Sequence, residues 1–340
     1  MPLTSTNTET IDTSQELSYF DQKKKEQKAK GHKHPWLYRA TMGIFFLFML
    51  YLLWPIVENW NQIVAIAQSA NDVLLILAAF LFCFTFIFTG LAMTVLATKP
   101  MPFRQTSLIQ LAMAFTYKIF PAGLGGPGLM YRYAVVAGYS VESGLGYVGA
   151  VELVYFTAWS LYFIPVVYFG GGLQSVGITP SFTSGWKIFF LIAIVVLLGY
   201  VITRAFGWLS KIKEKVQEVL HTFRIVLKTP GKSFLSLGLM LLSYTFTNIV
   251  FFLCLTAVGI QIPFWNSVFV YLVFNAIGAC GPAPGGMGTV EAALIGGLML
   301  FGVDSASATA GVMIFRTITF WIPTLPGYLA FRYGIKHKFI

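Results

Sequence analysis

Few residues in this chain could do chemistry, and they stand where charge is costly. "FPAGLGGPGLMYR", Phe120 to Arg132, packs four glycines and two prolines into an apolar stretch between Lys118 and Arg132. "GPAPGGMGTVEA", Gly281 to Ala292, repeats the device with Glu291 three residues past its last glycine. Glu152 and Arg316 lie in further apolar runs. Glycine and proline interrupt helices, and an interrupted helix leaves free N–H groups at a positive dipole end that can hold an anion. Glycines let the guest approach the backbone, and a guanidinium binds phosphate bidentately. A phosphate-bearing headgroup is the guest this chemistry predicts. The substrate-binding candidates are Lys118, Gly125, Gly126, Gly128, Arg132, Glu152, Gly285, Gly286, Gly288, Glu291 and Arg316.

Plainer roles exist for each. Gly-x-x-Gly spacing serves close helix packing. Lys118 can snorkel to an interface, Arg132 can pair structurally with Glu152, and Glu291 can cap its own half-helix. Arg316 follows a run of apolar and small residues that should place it well inside a membrane, where a carboxylate partner, Glu291 or Glu152, is needed. No catalytic residue is predicted: there is no His/Asp cluster, no close pair of carboxylates and no nucleophile–base arrangement. The chain is therefore not expected to be an enzyme. No Gly-x-x-x-x-Gly-Lys-Ser/Thr loop is present, so no nucleotide cofactor is expected. Cys83, Cys254 and Cys280 lie in separate apolar segments, and His32, His34, His221 and His337 in basic polar ones, which predicts neither disulfide nor metal.

The elements that must position these residues follow from composition. Of 340 residues, 56% are hydrophobic and 11% charged, against about 25% charged in soluble domains. Apolar runs near the roughly 20 residues needed to cross a bilayer predict an all-α polytopic membrane protein, since a buried backbone must satisfy itself. The net charge of +10 sits mostly in loops and tails, where it sets orientation and does not signal nucleic acid. Residues 1–35 form a polar basic tail without a signal-peptide core. Full spans are predicted at Tyr38–Val57, Asp72–Leu96, Ser143–Phe169, Trp186–Thr203, Phe234–Val258 and Ser307–Phe331, with an amphipathic surface segment over Arg204–Lys232. Two broken pairs remain: Gln105–Phe120 with Leu129–Tyr139, and Phe264–Cys280 with Thr289–Phe301. The basic segments place both termini in the cytoplasm if each broken pair is a re-entrant hairpin, entering and leaving on one side; full crossings by the pairs would give eight to ten helices instead. About six full spans plus two re-entrant helical hairpins result.

The two broken regions are related. Gly138 matches Gly302 and Glu152 matches Arg316 at one offset, 164 residues. Each unit (about 103–169 and 264–331) is a half-helix, a Gly/Pro break, a half-helix and a long span. Opposite sides of entry make this an inverted repeat, as in secondary transporters with a site near the midplane.

At these residues the chain resembles the lysylphosphatidylglycerol synthase transmembrane family, the flippase region of MprF-type proteins. "PAPGGMGTVEAALIGGLMLFGV" carries the match through Pro284, Gly285, Gly286, Gly288, Glu291 and Ala292, and "AGVMIFRTITFWIPTLPGYLAF" through Arg316. "GGPGLMYRYAVVAGYS" is similar to the first-half motif, with Met130 where a second basic residue is often expected. The match covers roughly residues 36 to 335, leaving a short cytoplasmic tail at 336–340. The resemblance implies a multi-pass module of the plasma (inner) membrane that translocates lipid, here without the soluble synthase domain. Its implied partners are membrane lipids, anionic or aminoacylated phospholipid; homo-oligomerisation and a separate lipid-modifying enzyme stay open. The alternatives are a membrane-embedded enzyme on a lipid or polyprenyl-phosphate donor, and a non-transporting membrane partner protein.

Overall fold

The computed structural model describes residues 60–119, 125–162, 164–166, 229–280 and 283–340. The expected spans at 38–57 and 186–203, the polar tail, the segment 204–228 and the residues 120–124 and 281–282 lie outside these. Among the described residues there are ten α-helices and no strand. They are α1 (Trp60–Gln68), α2 (Asp72–Leu96), α3 (Phe103–Ile119), α4 (Gly125–Val136), α5 (Val141–Leu161), α6 (Pro230–Ala257), α7 (Phe264–Ala279), α8 (Thr289–Leu300), α9 (Ser305–Arg316) and α10 (Thr324–Lys336). A 3-10 turn, Pro284–Gly286, precedes α8, and a π-turn, Thr317–Trp321, joins α9 to α10. Among the described residues, four stretches are long and apolar enough to cross a membrane: Asp72–Leu96, Val141–Val166, Pro230–Ala257 and Ser305–Lys336.

Local chemistry sets the helix ends. Asn71 caps α2 by accepting the N–H groups of Val73 and Leu74. The corners α4–α5 and α8–α9 are built alike. Gly138 and Gly302 both take positive φ, 94° and 81°. In each corner the next N–H returns to the helix just ended, Tyr139 to Ala134 O and Val303 to Leu298 O. Ser140 and Asp304 then cap the following helices by accepting from Ser143 N and Ser307 N.

Packing depends on small residues and hydroxyls. α2 lies along α6, joined by Thr89 to Ser243 and by Ser236 to the carbonyl of Ala92. α7 and α8 form a tight hairpin, where a Cβ on Gly278 would come within 2.4 Å of Val290 Cα. Thr289 Oγ1 fastens it by donating to Gly278 O. α10 presses on α3 at Gly327, whose added Cβ would stand 2.7 Å from Leu111 O. One core gathers Met93, Met113, Tyr133 and Tyr147 from α2 to α5, and another gathers Phe251, Leu255, Leu294 and Leu298 from α6 and α8.

One local expectation changes. The first glycine cluster is helical: α4 begins at Gly125 and carries Gly126 and Gly128 in its first turn. Pro127 fits there because the first turn needs no N–H donor. The second cluster does interrupt the backbone, with positive φ at Gly285, Gly286 and Gly288.

Candidate functional site

A cavity of about 420 Å³ opens between α2, α3, α5, α6, α7 and the segment around Arg316. That lies within the range of small-molecule pockets, about 300–1,000 Å³. Lys118 and Arg316 both line it, and both lie over the ring of Phe320, at 4.4 Å and 3.9 Å from its centroid. The aromatic face accepts cations, so Phe320 holds two like charges at one wall.

The π-turn delivers Phe320 to this position. Pro323 has no N–H and its ring displaces the carbonyl four residues back, so the helix widens there. Ile322 N accordingly bonds Thr317 O, five residues back, at 2.9 Å. π-turns of this kind are frequent at functional sites. Lys118 Nζ reaches across from α3 and donates to Phe320 O and Thr324 Oγ1. The Gly285 break fits against the same pair: a Cβ there would meet the Phe320 ring at 3.0 Å and Lys118 Cα at 3.4 Å. Glycine is required at Gly285 by both the positive φ and the contact.

Glu291 has two tasks. Its Oε2 accepts the N–H of Gly288 at 2.7 Å, capping α8, and its Oε1 accepts from Arg316 Nε at 2.6 Å. The positive end of α8, expected to receive a guest anion, therefore already carries the chain's own carboxylate. Arg316 Nη2 makes a long 3.4 Å contact to Gly285 O. The rest of the wall is polar in part: Tyr117, Tyr155, Tyr271, Asn275 and Gln110 all face the cavity. Gln110 Oε1 is buried and has no hydrogen-bond partner among the described residues.

The structure thus brings together Lys118, Gly285, Gly286 and Arg316, with Glu291 and Gly288 directly behind them. It does not bring in the other candidates. Gly125, Gly126 and Gly128 are in the first turn of α4, where Gly126 packs on Tyr117. Arg132 is exposed on α4, and Glu152 is half-buried on α5. The ion pair expected between them is not formed; among the described residues the single ion pair is Arg316–Glu291. Phe320 and the tyrosines escaped the sequence reasoning. A signal was present: Phe320 is four residues past Arg316, Tyr155 three past Glu152, and Gln110, Tyr117 and Lys118 share one face of α3.

The sequence matches known proteins at the level of family. The family described as lysylphosphatidylglycerol synthase TM region matches residues 41–327. The chain belongs to this family. It is also similar to a UPF0104 membrane protein of Methanothermobacter thermautotrophicus, 32% identical over 99 residues. That match covers 28% of this chain and 30% of the relative. The protein is a multi-pass membrane protein of a lipid-related family.

Proposed function

We propose that this protein is a transporter that moves a phosphate-bearing lipid between leaflets, with the Lys118–Arg316 cavity as its headgroup site. One observation carries the reading: two cations and one carboxylate meet at the cavity wall, so one positive charge lacks a counter-charge among the described residues. An unpaired cation at membrane depth is costly, and an entering phosphate relieves it. The guanidinium keeps its Nη edge for that phosphate while Glu291 holds Nε.

The helix lengths support two re-entrant hairpins in an inverted repeat. α7 and α8 run about 24 Å and 18 Å at 1.5 Å per residue, and α3 and α4 about 26 Å and 18 Å, each short of a hydrocarbon core of roughly 30 Å. The Gly285 break rests on Lys118 at the end of α3, as expected for hairpins that meet between the leaflets. The distribution of basic residues supports cytoplasmic termini. A transport role fits better than catalysis, because the described residues of the cavity offer charge and hydrogen bonds but no nucleophile with a base.

Lipid flipping in proteoliposomes tests the proposal. Arg316→Lys should lower the rate at least tenfold at equal folded yield, because the charge is kept and the bidentate geometry lost. Lys118→Ala should do likewise. Wild-type rates in both variants would remove the cavity from the transport path.

A further inference from the structure

The cavity chemistry described so far leaves Glu152 unused. It is the twelfth residue of the 21-residue α5, roughly 16 Å from the helix start at 1.5 Å per residue, and so near the middle of a span. A carboxylate at that depth needs a cation or a proton. No Lys, Arg or His among the described residues pairs with it. Its surroundings are phenols. Tyr155, one turn further along α5, lines the cavity, as does Tyr117 of α3. The ring of Tyr244 of α6 lies tilted against that of Tyr155, with centroids 5.0 Å apart. Glu152 lies one turn before Tyr155 on α5, and Tyr271 of α7 lines the same cavity as Tyr155 and Tyr117. Among the described residues the elements against α5 place no counter-charge within ion-pair reach of Glu152. α4 brings exposed Arg132, with Tyr131 and with Tyr133 bonded to Thr106; α6 carries exposed Lys232 at its start; α2 carries only Asp72 at its start and Cys83.

We infer that Glu152 is a proton-binding carboxylate coupled to occupancy of the adjacent cavity, so that an anionic headgroup and one proton bind together. The inference rests on the cavity being a phosphate site. Its logic is charge balance. Lys118, Arg316 and Glu291 leave the empty cavity with one net positive charge, and a phosphodiester brings it to zero. An ionised Glu152 beside that occupied cavity would be an unbalanced negative charge in the membrane. Neutral Glu152 leaves the loaded site uncharged and free to change the side it faces. The proton arrives through the cavity, past the hydroxyls of Tyr117 and Tyr155, and leaves for the aqueous phase after the headgroup has gone. Sequence alone pointed Glu152 at Arg132; the placement of α5 points it at the tyrosines.

Calorimetric titration of the detergent-solubilised full chain with short-chain phosphatidylglycerol tests this, run from acid to alkaline pH in buffers of differing ionisation enthalpy. Wild type should bind more weakly as pH rises, by at most about tenfold per pH unit, and should take up protons with the lipid at the alkaline end. Glu152→Gln, which mimics the neutral acid, should keep the low-pH affinity throughout and take up none. Glu152→Asp should restore both dependences, and thermal unfolding of each variant checks the fold. Lipid binding without proton uptake at any pH, or equal uptake by wild type and Glu152→Gln, overturns the inference and leaves the phosphate site standing. No lipid binding at any pH overturns both.

Discussion

In the first Gly/Pro region, Gly125, Gly126 and Gly128 wind into the first turn of α4; in the second, Gly285, Gly286 and Gly288 all take positive φ and hold the chain open ahead of α8. The charges are also exchanged. Unit one carries Arg132 on its second half-helix and Glu152 on the following span, and unit two carries Glu291 and Arg316 in those places. Only the second pair closes. Register explains much of this. Glu291 is the third residue of α8, in its first turn, whereas Arg132 is the eighth of α4, about two turns in. Glu291 thereby reaches the open end of its own helix and the guanidinium beyond it. Arg132 is turned to the exposed face. Among the described residues, the second region holds a charged clamp and the first an unpaired carboxylate.

The largest effect should come from breaking the closed pair. Arg316→Ala leaves Glu291 buried without its cation and should destabilise the protein by about 3–5 kcal/mol. Arg132→Ala, at the corresponding open pair, should change stability by no more than about 0.5 kcal/mol. Thermal unfolding in one detergent compares the two, and similar losses would mean that both units hold a clamp.

The glycines sharpen the contrast at a smaller scale. Gly286→Ala forces a side chain into a left-handed conformation, with its Cβ 2.5 Å from Val290 Cγ2, and should cost about 1–3 kcal/mol. Gly128→Ala enters open space in a helix and should be neutral or stabilising by about 0.5–1 kcal/mol. A loss at Gly128 as large as at Gly286 would contradict a helical first motif.

The smallest effect lies at the two matched corners. Ser140→Ala and Asp304→Ala each remove a helix cap and should cost about 1 kcal/mol. They should differ in pH dependence. Hydrogen bonds from Ser307 hold the Asp304 carboxyl below its ordinary range. A lowered value in the folded state means that this contribution is present above the ordinary Asp range and fades as pH falls through the lowered one. The Ser140 cap has no charge to lose. Acid unfolding of wild type and both variants should show the Asp304→Ala difference shrinking toward low pH and the Ser140→Ala difference constant.

The sequence by itself determined the membrane class, the helical content, the paired Gly/Pro regions and the two corner caps. Each depends on composition or on residues within one or two turns of each other, as Gly302 and Asp304 illustrate. It also offered Glu291 as both cap and partner for Arg316, since a three-residue spacing to Gly288 is local. The tertiary structure decided the rest. Lys118 meets Phe320 across 202 residues of chain, and only the docking of α3 on the π-turn makes that contact. Whether Gly125 or Gly285 opened the backbone depended on what packed around each, because glycine tolerates either conformation equally. Which arginine found its carboxylate depended on helix rotation within the assembled bundle, a quantity that a list of charged residues does not contain.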